Sequence, residues 1–241
     1  MEEDLLGITR RTLAEMLFQS MDIVKPYPEA VSPVGRMVDG TAFFPGGRGL
    51  WMDEDTDVFP SILVLGHDFS TEKWYLRMLN GEVKDISSPT WINMIRLFLQ
   101  ANVDIRHCFF TNVFMGLRRT ESMTGVFPGF RDKGFVERNV QFLSFQIEAV
   151  KPKVIVTLGK YAAEMLAGLS PEDLSAWKGW RALKEKDVGL VPHVRLGNLT
   201  CACVALEHPS MRNSNVKRRR YKNCSGNVAE VMMLMDALAE L

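Results

Sequence analysis

The chain has 241 residues, of which 46% are hydrophobic and 24% charged, with 18 Gly and 11 Pro. That balance excludes a collagenous chain, a disordered chain and a disulfide-dense miniprotein, and the length allows a sizeable core in one or two domains. Lys plus Arg equal Asp plus Glu at 29 each, yet residues 1–60 carry 11 acids against 5 bases, while residues 207–222 carry one acid against six bases.

A helix is predicted over Arg11–Ser20. It is followed at 25–60 by an irregular extension rich in Pro, Gly and Asp. Within it, Phe44-Pro-Gly-Gly-Arg-Gly-Leu-Trp51 lacks the Gly-Lys-Ser/Thr of a phosphate loop and reads as a Gly-Pro turn. Four apolar runs then follow: Ser61–Gly66, His107–Asn112, Lys153–Gly159 and Thr200–Glu207. Continuous apolar runs suit parallel strands covered by helices on both faces.

Helical spacing follows each run. Trp91, Ile95 and Phe98 lie behind Ser88-Pro89. Val136, Val140, Leu143, Ile147 and Val150 form the second stripe. Tyr161–Leu166 is stopped by Gly168 and Pro171, and Val228, Val231, Met235 and Leu238 lie behind Ser225. The alternation predicts an α/β class chain with a central four-stranded, mostly parallel sheet, forming a single domain over 1–241.

Cys108, Cys201, Cys203 and Cys224 contain no C-x-x-C pair, which argues against a zinc ribbon or an iron–sulfur site. No cofactor and no metal are expected. No stretch resembles a signal peptide or a span of about 20 apolar residues. A cytoplasmic monomer with no membrane contact is the expectation.

In open α/β sheets, ligands bind beyond the carboxyl ends of the strands. The first run ends in Gly66-His67-Asp68-Phe69-Ser70, the second in Thr111-Asn112 and the fourth in His208-Pro209-Ser210. A carboxylate, an amide and an imidazole thus emerge from three separate segments. Taken singly, Asp68 also suits a helix N-cap, Asn112 a turn and His208 a structural role.

These segments resemble the uracil-DNA glycosylase superfamily. Gly66-His67-Asp68 resembles its first motif, Phe110-Thr111-Asn112-Val113 its base-reading strand, and His208-Pro209-Ser210 its second motif, in that order over residues 60–240. Phe69-Ser70 stands where strict uracil enzymes have Pro-Tyr, and Met211 stands where many members have Pro. The resemblance implies a three-layer α/β/α sandwich. It also implies hydrolysis of the N-glycosidic bond of uracil, or a related damaged base, after the base is flipped out of DNA.

On that resemblance, Asp68 would position the attacking water and steady the oxocarbenium-like sugar, and His208 would donate to the base oxygen. Asn112 would read N3–H and O4, with Gly66, His67 and Phe69 completing the base site. Single- or double-stranded DNA would be the partner. Ser210, Met211, Arg212, Lys217, Arg218, Arg219 and Arg220 would contact it, with Tyr221 stacking and Arg118-Arg119 in support. Two other readings remain open: a non-catalytic nucleic-acid-binding module on the same fold, and a flavodoxin-like or nucleotide-binding domain acting on free small molecules.

Overall fold

A computed structural model of the protein describes residues 9–39, 41–49, 59–179 and 186–239. Helix α1 (Arg10–Gln19) opens it, capped by Thr9, whose side chain accepts from the Thr12 amide. Strand β1 (Val31–Ser32) follows, then β2 (Ile62–Asp68), α2 (Glu72–Leu79), α3 (Pro89–Gln100), β3 (Cys108–Phe114) and β4 (Leu117–Arg118). Next come α4 (Lys133–Val150), β5 (Val154–Leu158), α5 (Lys160–Leu169), β6 (Leu190–Leu196), β7 (Leu199–Leu206), the short α6 (Arg212–Asn215) and α7 (Gly226–Leu238).

The central sheet has the order β3-β2-β5-β7-β6. β2, β3, β5 and β7 run parallel, and β6 is antiparallel to β7. The fold is the expected α/β/α sandwich with five strands rather than four. β6 escapes the search for apolar runs because it is an edge strand carrying Pro192 and two exposed residues. Its register slips between Val191 and Val194, and a bulge at a sheet edge is where proline is tolerated. Gly197-Asn198 between two apolar segments was its hairpin signal, and Gly197 has a φ of 60°.

β2, β3, β5 and β7 are almost wholly buried, since helices cover both faces. The helix faces follow the predicted periods in part: in α4 Leu143, Ile147 and Val150 are buried, but Val136 and Val140 are only half-buried beside a face that also takes in Phe135, Asn139, Phe142 and Gln146, and α7 departs further. Its buried residues are Ala229, Glu230, Met233, Leu234 and Ala237, while Val228 and Met235 of the predicted stripe are exposed. α7 is apolar on nearly every side, so periodicity alone does not fix its rotation. Tertiary ion pairs to Glu230 do.

The N-terminal extension is built into the sheet end that carries the site. β1 pairs antiparallel with β4, setting Val31 opposite Arg118. The Phe44 amide donates to the Phe110 carbonyl on the outer edge of β3 at 2.9 Å. Phe43 packs edge-on against Trp91, and Phe44 lies on Phe109 and Phe142. Residues 50–58, including the end of the predicted Gly-Pro turn segment, lie outside the described residues.

Candidate active site

Asp68 is the last residue of β2, and its side chain is only 7% exposed. Burial pushes its carboxyl up, but hydrogen bonds and charge from His67 and Arg118 outweigh that and hold it at about 2. The contacts are specific. Arg118 grips it in a fork, Nε to Oδ1 at 3.0 Å and Nη2 to Oδ2 at 2.8 Å. The Ser70 amide adds a bond to Oδ1 at 3.1 Å, and His67 Nδ1 lies 2.9 Å from Oδ2. Each carboxylate oxygen therefore meets two donors, which fills its ordinary acceptor capacity. Ser70 makes this possible with a φ of 105°, a conformation that serine rarely adopts.

Arg118 is itself held by the carbonyls of Thr124, Gly125 and Val126 and lies over the Phe127 ring. Its fixed geometry makes the Asp68 carboxylate rigid. The expectation that Arg118 assists in phosphate binding is corrected by this: its donors face inward. Arg119 bonds Ser32 Oγ and the Glu29 carbonyl.

The His67 ring stacks on Tyr161 of α5 with centroids 4.5 Å apart, and Phe114 and Phe127 meet it edge-on. Its Nε2 is buried and has no hydrogen-bond partner among the described residues.

His208 follows β7. Its Nδ1 lies 2.8 Å from Ser210 Oγ and accepts from the Ser210 amide at 3.3 Å. An amide N–H only donates, so Nδ1 is an acceptor and the proton of the neutral ring sits on Nε2. Burial pushes the His208 imidazole down; the Asp68 carboxylate opposes this and His67 reinforces it. The three groups thus share one electrostatic neighbourhood at the ends of β2 and β7. Gly159 permits the approach: a Cβ there would lie 2.9 Å from His208 Cβ. Asn93 of α3 holds the Pro209 carbonyl at 3.0 Å.

Asn112 stands in β3 opposite Gly66. Its Nδ2 donates to the Phe44 carbonyl at 2.9 Å, and a side chain at Gly66 would collide with its Oδ1. The amide is therefore oriented by the N-terminal segment, with Oδ1 over Gly66 and one N–H committed. Phe43 is the aromatic beside this pair.

Other predicted contacts fall differently. Phe69 is buried, edge-on to Tyr75 and packed where a Gly46 side chain would stand. That corrects its assignment to the base site. Arg212 and Arg219 are also corrected, since both lie in the interior and pair with Glu230. A guanidinium desolvated against a carboxylate does not reach a phosphate. Tyr221 is buried with its hydroxyl on Asp236 at 2.7 Å and does not present a stacking face. Ser210, Met211, Lys217, Arg218 and Arg220 are exposed.

A family model for the uracil DNA glycosylase superfamily matches residues 71–226, more than half of the chain. The chain belongs to the uracil-DNA glycosylase superfamily. A comparison with curated proteins finds no match. The match spans β3, β5, β7 and His208, whereas Gly66-His67-Asp68 lies just before it. No helix among the described residues is long and apolar enough to cross a membrane.

Sequence reasoning gave Arg118 the wrong partner and missed the part that Tyr161 and Glu230 play in shaping this glycosylase-like site. Glu230 had a visible signal, a lone carboxylate in the apolar run Val228–Met235. Such a charge inside a hydrophobic helix face implies a buried partner.

Proposed function

We propose that the protein is a DNA glycosylase that hydrolyses the bond between deoxyribose and uracil or a related damaged base. The observation that carries this reading is that Asp68 and His67, at the end of β2, both act electrostatically on His208, which follows β7 on the other side of β5. There the Ser210 contacts make His208 Nε2 a hydrogen-bond donor. As the glycosidic bond breaks, negative charge grows on the base oxygen, and a fixed neutral donor stabilises it without reorganising. The Asp68 carboxylate supplies negative potential near the cationic sugar. Asn112, oriented by Phe44, offers Oδ1 and its remaining N–H to the base edge. A buried amide left mismatched by the wrong base discriminates strongly.

His208→Ala is expected to slow base release by about 10²–10³-fold in single-turnover assays on uracil-containing oligonucleotides. Binding of the oligonucleotide should be retained. Wild-type protein that releases no base from any deaminated oligonucleotide removes the enzymatic reading.

Lys217, Arg218 and Arg220 are the exposed cations beside the His208 loop. Arg220 Nη1 bonds the Lys217 and Arg219 carbonyls, which fixes a compact basic turn. Neutralising any one of them is expected to flatten the plot of log K against log salt by about 0.9 on duplex DNA. Met211, half exposed in the turn after His208, would wedge into the base stack.

A second reading has one specific observation in its favour. The Asp68 carboxylate is saturated by Arg118, His67 and Ser70, as befits a purely structural group in a nucleic-acid-binding module. Salt-sensitive oligonucleotide binding without any abasic-site formation would establish that reading.

A further inference from the structure

The saturation of Asp68 raises a chemical problem for any hydrolysis at this site. A carboxylate that already accepts four hydrogen bonds has no acceptor left for a water molecule. The neighbouring residue does. Asp68 is ionised, so it cannot donate, and the 2.9 Å contact must run from His67 Nδ1–H to Oδ2. In the neutral ring this leaves the lone pair on Nε2. That nitrogen is buried and has no partner among the described residues. A solvent-stripped polar atom with nothing to bond is costly unless function retains it.

The imidazole is held in place twice, by Asp68 at its edge and by Tyr161 across its face at 4.5 Å. His208 shows the opposite arrangement, with Nδ1 accepting and the proton on Nε2. One imidazole is set to accept and the other to donate; the first touches the Asp68 carboxylate and the second feels its charge. We propose that His67, not Asp68, is the proton acceptor for the attacking water, and that Asp68 is the positioning residue that sets its tautomer.

This rests on the glycosylase reading above. In the step, the water oxygen bonds to C1′ as the C1′–N bond breaks, and the bonding pair leaves with the base as its anion. The water proton passes to His67 Nε2. The imidazolium so formed lies against Asp68, and it returns its proton to the departing base or to solvent. The charged and titratable groups around His67 are Asp68 on its own strand, Arg118 on β4, Tyr161 and Lys160 at the start of α5, and His208 after β7.

The test is single-turnover release of uracil from an oligonucleotide, followed across pH. Wild-type release should rise with pH until the acceptor is free of its proton and then level off. His67→Gln should be slower by about 10²-fold or more, as loss of a general base typically is, and should lose that rise while binding the oligonucleotide normally. Added imidazole should partly restore His67→Ala. A His67→Gln enzyme within about threefold of wild type with an unchanged pH profile overturns the assignment, as does a flat wild-type profile, which needs no variant to fold. Failure of the glycosylase reading looks different: the wild type itself releases nothing at any pH, and the assignment then falls with it.

Discussion

Asp68→Asn is expected to cost about 3–5 kcal/mol of stability and to slow base release by at least about 10²-fold. The stability loss follows from removing one partner of a buried ion pair, which leaves the Arg118 guanidinium 2% exposed and without its carboxylate. The activity loss follows because an amide no longer dictates the His67 tautomer. Thermal melting and single-turnover release measure the two effects separately. A double replacement, Asp68→Leu with Arg118→Leu, sharpens the test. Exchanging both charges for hydrocarbon is often neutral or stabilising, so this variant should recover much of the stability and none of the activity.

The same ion pair predicts acid behaviour. The folded carboxyl sits at about 2, below its ordinary value of 3.8. Between those values the unfolded chain binds the proton more readily than the folded one. The stabilisation is therefore complete above about pH 4 and drains away as the pH falls towards 2, by roughly 2 kcal/mol in total. In Asp68→Asn that component of the acid transition should be missing, as denaturant midpoints measured between those limits will show.

Glu230→Gln is the second large effect, again expected at about 3–5 kcal/mol. For a protein of this size that corresponds to a fall in Tm on the order of 10 °C. Glu230 is completely buried on α7 and gathers two hydrogen-bond donors and a second guanidinium from one loop. The Glu207 amide reaches Oε1 at 2.7 Å, Arg219 Nε lies 3.2 Å from the same oxygen, and Arg212 pairs with Oε2. Arg212 is further held by Asn227 Oδ1 at 2.6 Å. The loop from 207 to 219, which carries His208 and Ser210, is thus pinned at both ends to one carboxylate. Neutralising it leaves two buried guanidinium groups with less compensation. Limited proteolysis should then cut the 207–219 loop earlier than in the wild type, and base release should fall even where the protein remains folded. An unchanged melting temperature would contradict this account of Arg212 and Arg219.

These two carboxylates show where reading along the chain succeeds and where it stops. Strands β2, β3, β5 and β7 were legible because a strand covered on both faces must be apolar throughout, and the polar residues that end it stand out. That is why Asp68 and His208 were found at strand ends, whereas Asn112 lies two residues inside β3, which runs on through the apolar Val113 and Phe114. The edge strand β6 was not, since Pro192 and solvent exposure break its pattern. The basic run at 217–220 was visible, but its solvent face was not. Arg218 and Arg220 look like Arg219 in sequence, and only the turn of the backbone decides which points inward.

The amino-acid sequence alone thus determined the α/β layering, the four parallel strands and the polar groups that follow or close them, because these follow from local periodicity and the covering of a sheet. Tertiary structure decided the partners: Arg118 on Asp68, Glu230 between two arginines, Phe44 on Asn112 and the opposite tautomers of two histidines. A charge or a ring nitrogen acquires its chemical state from neighbours that can be 50 residues away, so no local pattern records it.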